Sequence, residues 1–167
     1  RPPIPGYERA LTLRTVEDAT RMADGVAGRP SSAVVIGAGF IGLEVAENLA
    51  EMGISVSIVE AAPQVLAPLD PELAILVEDE LVGHGVIVET GVAVASIGEQ
   101  DVTFADGRVI AADLVVGAIG VRPDVHLASD AGLAIGPGGG IEVNDGMATS
   151  DPHIYAVGAA VQKRDAL

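Results

Sequence analysis

The sequence predicts an α/β fold, a layered domain with a central parallel sheet and a small antiparallel β insert. Three observations carry that prediction. Short apolar runs at residues 33–36, 54–59 and 114–119 stop at a glycine or an acid, the pattern of strands buried on both faces. Segments with helical spacing separate the first runs, and a stretch of period two sits between residues 92 and 112. The chain is 49% hydrophobic yet holds only two Phe, two Tyr and no Trp, so its core is built from Val, Ile, Leu and Ala. Its 167 residues suit one domain, or one with a small appendage.

Residues 1–6 are proline-rich and read as an extended lead-in. Thr15 is placed to cap a helix with Glu17 and Asp18 in its first turn. Val16, Ala19, Met22, Ala23 and Val26 follow at helical spacing up to Gly28-Arg29-Pro30. Residues 33–36 then form a strand closing on Gly37-Ala38-Gly39. Residues 40–52 read as an amphipathic helix, apolar at 41, 45, 46, 49 and 52 and acidic at 44, 47 and 51, with Gly53 as its stop. A second strand covers 54–60, and the resulting βαβ unit has a right-handed crossover that makes its two strands parallel neighbours.

After a loop at 63–68, Asp70 is placed to cap a helix with Pro71 in its first position. Apolar positions 73, 76, 77 and 81 are expected to line one face of it, up to His84-Gly85. A third strand reads at 86–89. Asp106-Gly107 is a hairpin turn between residues 102–104 and 109–111, and residues 113–120 supply a fourth parallel strand. Past Gly120 the chain is rich in turns and shows no helix of any length, and no internal repeat is present.

Charge and composition exclude several functions. Twenty-four acidic against nine basic side chains give a net charge of −15, which opposes nucleic acid as a partner. No apolar run reaches the ~18 residues of a membrane helix, and the first residues lack a secretory apolar core, so a soluble, cytoplasmic protein is expected. The absence of cysteine removes disulfides, thiolate metal sites and a thiol nucleophile from this chain, and fits a cytosolic setting. His84, His126 and His153 are too scattered for a metal site, and Ser31, Ser32, Ser129 and Ser150 lack the context of a hydrolase nucleophile. The glycine run at 136–140 is followed by alternating residues rather than a helix, so it reads as a turn.

The strongest motif is Gly37-Ala38-Gly39-Phe40-Ile41-Gly42, because it follows a strand and opens a helix. Gly37 permits the tight turn, Gly39 lets the backbone approach a pyrophosphate, and Gly42 lets helix and strand pack closely. The anion would rest on the unpaired N–H groups of the helix N-terminus. Glu60, 18 residues beyond Gly42, ends the next strand, where a carboxylate accepts from ribose hydroxyls and repels a 2′-phosphate. Ala61 and Ala62 bring no cation for that phosphate, so NAD(H) is expected over NADP(H). The pattern describes a Rossmann-like three-layer domain. An S-adenosylmethionine enzyme would usually carry a third glycine at position 41, where this chain has Ile41.

With these residues in hand, segment 34–49 resembles the pyridine-nucleotide domain of the pyridine nucleotide-disulfide oxidoreductase flavoproteins. Leu13-Arg-Thr-Val-Glu-Asp-Ala looks like the lead-in helix of that family. Ala118-Ile-Gly-Val-Arg-Pro-Asp looks like its A-x-G-x-R-P-N turn, and Thr149-Ser-Asp-Pro-His-Ile-Tyr-Ala-Val-Gly like its late T-S-x-P-x-I-Y-A-x-G-D segment. Phe40 and Leu69-Asp-Pro-Glu are most similar to the coenzyme A-disulfide reductase and NADH oxidase branch.

The resemblance implies that Gly37, Gly39 and Gly42, with the backbone of Phe40 and Ile41, cradle the pyrophosphate, and that Glu60 holds the adenosine ribose. It places Glu44 near the nicotinamide, the backbone of Ile119, Gly120 and Val121 beside the carboxamide, and Phe40 over the flavin until the nicotinamide displaces it. No residue of this chain is assigned to catalysis.

The resemblance also implies FAD in a parent enzyme whose FAD domain is the partner of this one, and it allows a homodimer of the full-length protein. Residues 1–28 would be lead-in and linker helix, 29–121 the NAD(H)-binding domain, and 122–167 a segment returning to the FAD domain. The family's earlier FAD loop and redox cysteine are not in this sequence, and Ala159 stands where the family has the acid that contacts FAD. FAD is therefore not expected to bind this chain well, and the isolated chain is expected to be inactive. The competing class is a stand-alone NAD-binding regulatory module without catalysis.

Overall fold

The computed structural model describes residues 3–163, so Arg1 and Pro2 of the expected extended lead-in lie outside the described residues. Contacts divide the chain into two compact units, one ending at Gly120 and one beginning at Val121.

The first unit opens with a 3-10 turn at Tyr7–Arg9, followed by α1 (Val16–Ala27). Thr15 caps α1 reciprocally, its side chain accepting from the Asp18 N–H while the Asp18 carboxylate accepts from the Thr15 N–H. A parallel sheet follows from β1 (Ser32–Ile36), β2 (Ser55–Val59), β3 (Ile87–Glu89) and β7 (Leu114–Gly117) in the order β3-β2-β1-β7. Between β1 and β2 runs α2 (Phe40–Glu51), and between β2 and β3 runs α3 (Pro71–Gly83). The insert is an antiparallel sheet of β4 (Val94–Ile97), β5 (Asp101–Phe104) and β6 (Val109–Ala111).

Strand alternation explains the three layers. Ala33 and Val35 of β1, with Val56 and Ile58 of β2, face Val45, Ala46 and Leu49 of α2 and Ala74 of α3. Val34, Ile36 and Val59 point the other way, onto Val94, Ile97, Val102 and Phe104 of the antiparallel sheet. Helices therefore cover one face of the parallel sheet and the antiparallel sheet covers the other. The lead-in closes the free edge of β7, where the Leu11 N–H donates to the Val115 carbonyl at 2.9 Å and the Gly117 N–H to the Leu11 carbonyl at 2.7 Å. Gly117 has no side chain because the buried Tyr7 ring occupies the position a Cβ would take.

Two expected helix faces are corrected. On α3, Leu73 and Leu76 are exposed, and the buried stripe is Ala74, Val77 and Leu81. With apolar residues at 73–77 and 81–82, period alone cannot choose the stripe, and the packing of α3 on the sheet does. On α1, Val16, Ala19 and Ala23 stay exposed and only Met22 and Val26 pack on the core. Asp70 occupies the N-cap of α3, with Pro71 behind it as read, but its side chain makes no capping hydrogen bond.

The second unit holds α4 (His126–Asp130), a helix of five residues, and a parallel pair of β8 (Ile141–Val143) and β9 (Val161–Lys163). The glycine run between α4 and β8 is a turn, closed by the Gly139 N–H on the Gly136 carbonyl at 2.9 Å.

Candidate functional site

Strand order decides where a ligand can enter. The chain winds from β1 to β2 to β3 on one side and places β7 on the other side of β1, so the strand order reverses at β1. The glycine loop and residues 118–120 flank that point.

Each glycine of the loop meets a different constraint. Gly37 has φ of +104°, and a Cβ there would sit 2.5 Å from the Ala118 carbonyl oxygen. At Gly42 a Cβ would be driven into the Gly37 carbonyl oxygen, far inside contact distance. Gly39, the N-cap of α2, is the opposite case, because a Cβ there meets nothing within 4 Å. The first turn of α2 carries no acid, and the N–H groups of Gly39, Phe40, Ile41 and Gly42 donate to no group among the described residues. Such unengaged donors at the positive end of a helix are chemically suited to an anion, with Gly39, Phe40 and Ile41 exposed and Gly42 buried.

Glu60 stands directly after β2, its N–H bonded to the Glu89 carbonyl at 2.8 Å. One carboxylate oxygen, Oε2, accepts from the Ala38 N–H at 2.7 Å, and Oε1 accepts from the Ala62 N–H at 2.8 Å. The Ala38 carbonyl in turn accepts from the Leu66 N–H at 2.9 Å, with Leu66 held at φ of +45°. Ala38, the middle residue of Gly-Ala-Gly, thus has both sides of its backbone engaged. The sequence singles out Glu60 and the glycines, whereas the bonds of Ala38, Ala62 and Leu66 emerge only from the structure. Their roles are backbone bonds, which leave no signal in side-chain identity.

Around this core the other sequence-predicted residues divide by unit. Phe40 is 67% exposed and Ile41 39% exposed at the start of α2, and Glu44 lies exposed one turn on. Ile119 is 45% exposed, and Gly120, at φ of +90°, ends the first unit. Val121 opens the second unit and is 75% exposed. Ala159, also in the second unit, follows Gly158 at φ of +92° and is exposed. Its methyl group offers no hydrogen bond to a cofactor.

No free cation assists the glycine loop from β3. Arg108, in the turn between β5 and β6, reaches Glu89 with both terminal nitrogens at 2.9 and 3.0 Å and Asp106 with Nε at 2.7 Å, and it lies 5.0 Å from the centre of the Phe104 ring. Its hydrogen bonds to Glu89 and then Asp106 raise its pKa further, so Arg108 stays charged and paired with these two carboxylates. Among the described residues no group of three His, Asp or Glu could hold a metal, and no helix is long and apolar enough to cross a membrane. A cavity of about 460 Å³ lies at the opposite, amino ends of β1 and β7, lined by residues such as Arg29, Ser31, Glu99 and Asp113.

A glycine loop opening a helix after one strand, with a carboxylate at the end of the next, sits here on a Rossmann-like three-layer α/β domain. The description of the pyridine nucleotide-disulphide oxidoreductase family matches residues 1–166, and the chain belongs to that family. It is 38% identical over 168 residues to the nitric oxide reductase FlRd-NAD(+) reductase of Aeromonas hydrophila, covering 97% of this chain and 42% of that protein. It is 40% identical over 171 residues to the NADH oxidase of Methanocaldococcus jannaschii, covering 98% of this chain and 38% of that one. Among solved structures, reduced CoADR-RHD of Bacillus anthracis superposes with a TM-score of 0.91 at 44% identity, over 96% of this chain and 30% of that chain. The chain spans less than half the length of the curated relatives it matches.

Proposed function

We propose that this chain is the NAD(H)-binding domain of an FAD-dependent member of the family, holding NADH for hydride transfer to a flavin carried by the FAD domain of its parent protein. One observation carries the reading: four unengaged N–H groups at the start of α2 lie beside the strand end from which Glu60 reaches into the same loop.

The N–H groups of residues 39–42 would receive the pyrophosphate, and the open position above Gly39 leaves room for its approach. A net charge of −15 opposes an anionic ligand at long range, so these local donors must hold it. Glu60 would accept from the adenosine ribose hydroxyls and repel a 2′-phosphate. Arg108, which reaches the end of β3, is engaged by Glu89 and Asp106, and residues 61 and 62 are both Ala, so NAD(H) is the preferred cofactor.

Two solved neighbours carry nicotinamide nucleotides. The water-forming NADH oxidase of Lactobacillus brevis is bound to NADH. Its engineered NADPH oxidase form, bound to NADPH, carries an acid-to-alanine change next to an alanine-to-arginine change.

The bound nucleotide supplies the hydride, while the chain contributes position and electrostatics. Glu44 and the backbone of Ile119, Gly120 and Val121 are assigned to the nicotinamide end, and Phe40 to the flavin-covering position. Titration of the purified chain with NADH and NADPH, followed by nicotinamide fluorescence, tests the reading. Saturable binding that favours NADH and is lost in Glu60→Arg is expected, without NADH consumption. No saturable binding of either nucleotide overturns it.

A further inference from the structure

A carboxylate has about four acceptor positions, and two of those on Glu60 accept from the N–H groups of Ala38 and Ala62. One goes to Ala38, inside the glycine loop and 22 residues earlier in the chain; the other goes to Ala62, which starts the loop leading to α3. Ala38 is 1% exposed, so without Glu60 its N–H would be left buried and unpaired. From the far side, the Leu66 N–H holds the Ala38 carbonyl, and Leu66 adopts the left-handed backbone that a branched side chain disfavours. The 61–69 loop is fastened in turn by the Gly91 N–H on the Ala62 carbonyl at 2.8 Å and by complete burial of Val65.

We propose that Glu60 is a positioning residue for the glycine loop as well as the acceptor for ribose, so that loop order and discrimination against a 2′-phosphate depend on one side chain. The second half of this statement rests on the nucleotide reading above; the first does not. Two acceptor positions hold the peptides of Ala38 and Ala62, and the remaining two match the two hydroxyls of a ribose. Glu60 cannot swing aside to admit a 2′-phosphate without releasing Ala38. Replacing it to favour NADPH therefore loosens the loop that receives the pyrophosphate.

Amide hydrogen exchange on the nucleotide-free chain, read residue by residue by NMR, tests the clamp independently of ligand. In Glu60→Ala, exchange at Ala38 and Ala62 is expected to accelerate about tenfold or more, the loss of a charge-assisted bond, while Val35 and Ile58 in the sheet keep their protection. Glu60→Gln offers one oxygen and one NH2 group, so it is expected to release one of the two amides and retain the other. This milder variant decides the matter if Glu60→Ala also exposes the sheet. Unchanged exchange at both amides in Glu60→Gln overturns the clamp, even where NADH binding is lost, and leaves Glu60 as a ribose acceptor only. Released amides in a chain that never binds NADH uphold the clamp and overturn the nucleotide reading instead.

Discussion

Gly39 and Gly42 lie three residues apart and are glycine for opposite reasons. A methyl group at Gly42 collides with a backbone oxygen that cannot yield, whereas one at Gly39 enters open space. Gly42→Ala is therefore expected to destabilise the fold by about 1–3 kcal/mol, the usual cost of overpacking. Gly39→Ala is expected to stay within about 0.5 kcal/mol of the parent in thermal unfolding. It should nevertheless weaken NADH about tenfold or more by holding the pyrophosphate off its donors. A stable Gly42→Ala, or full NADH affinity in Gly39→Ala, would contradict these assignments.

At this scale the sequence made the glycines and Glu60 legible, because a strand, a turn and a helix N-terminus demand particular residue types. The Ala38 clamp was hidden, since any residue but proline supplies its N–H and only the path of the 61–69 loop brings Leu66 to it.

Among the elements, the start of α1 was readable from Thr15 and the acids behind it, and the cap formed as expected. Thr15→Ala should cost about 1 kcal/mol in thermal unfolding, and an unchanged midpoint would show the cap to be idle. The α3 stripe was misread because its apolar residues outnumber the places available against the sheet. The tie between β1 and β7 was not foreseen either. Asp113, just before β7, accepts from the backbone and hydroxyl groups of Ser31 and Ser32 at distances of 2.6–3.2 Å.

These bonds, led by the Ser31 hydroxyl, hold the Asp113 carboxyl below its ordinary value. A carboxylate whose folded pKa is lowered stabilises the protein above its unfolded value, near pH 4. The contribution is lost as pH falls from there through the folded value. Asp113→Asn should flatten the acid limb of the stability curve below about pH 4 relative to the parent, measured by urea unfolding at stepped pH. Parallel acid limbs in parent and variant would remove Asp113 from the account.

For the molecule as a whole, the parallel sheet, its crossovers and the antiparallel insert were all legible, since each rests on local period and turn residues. The β8–β9 pair was not. Its strands are three residues long and are separated in sequence by residues 144–160, so pairing depends on tertiary placement rather than pattern. Net charge sets one further expectation. With −15 on the chain, screening should lessen the repulsion of an anionic nucleotide, so NADH affinity is expected to hold or rise from low salt to about 0.15 M. A steep fall over that range would point to a cluster of cations holding the ligand, contrary to a site of backbone donors.

The most direct test of the central claim is to follow the backbone amide resonances of the chain as NADH is added. Saturable shifts are expected, concentrated at Gly39, Phe40, Ile41 and Gly42, with further shifts at Glu60 and Gly120. Shifts centred elsewhere, such as on the cavity at the amino ends of β1 and β7, or none at saturating NADH, would contradict that claim.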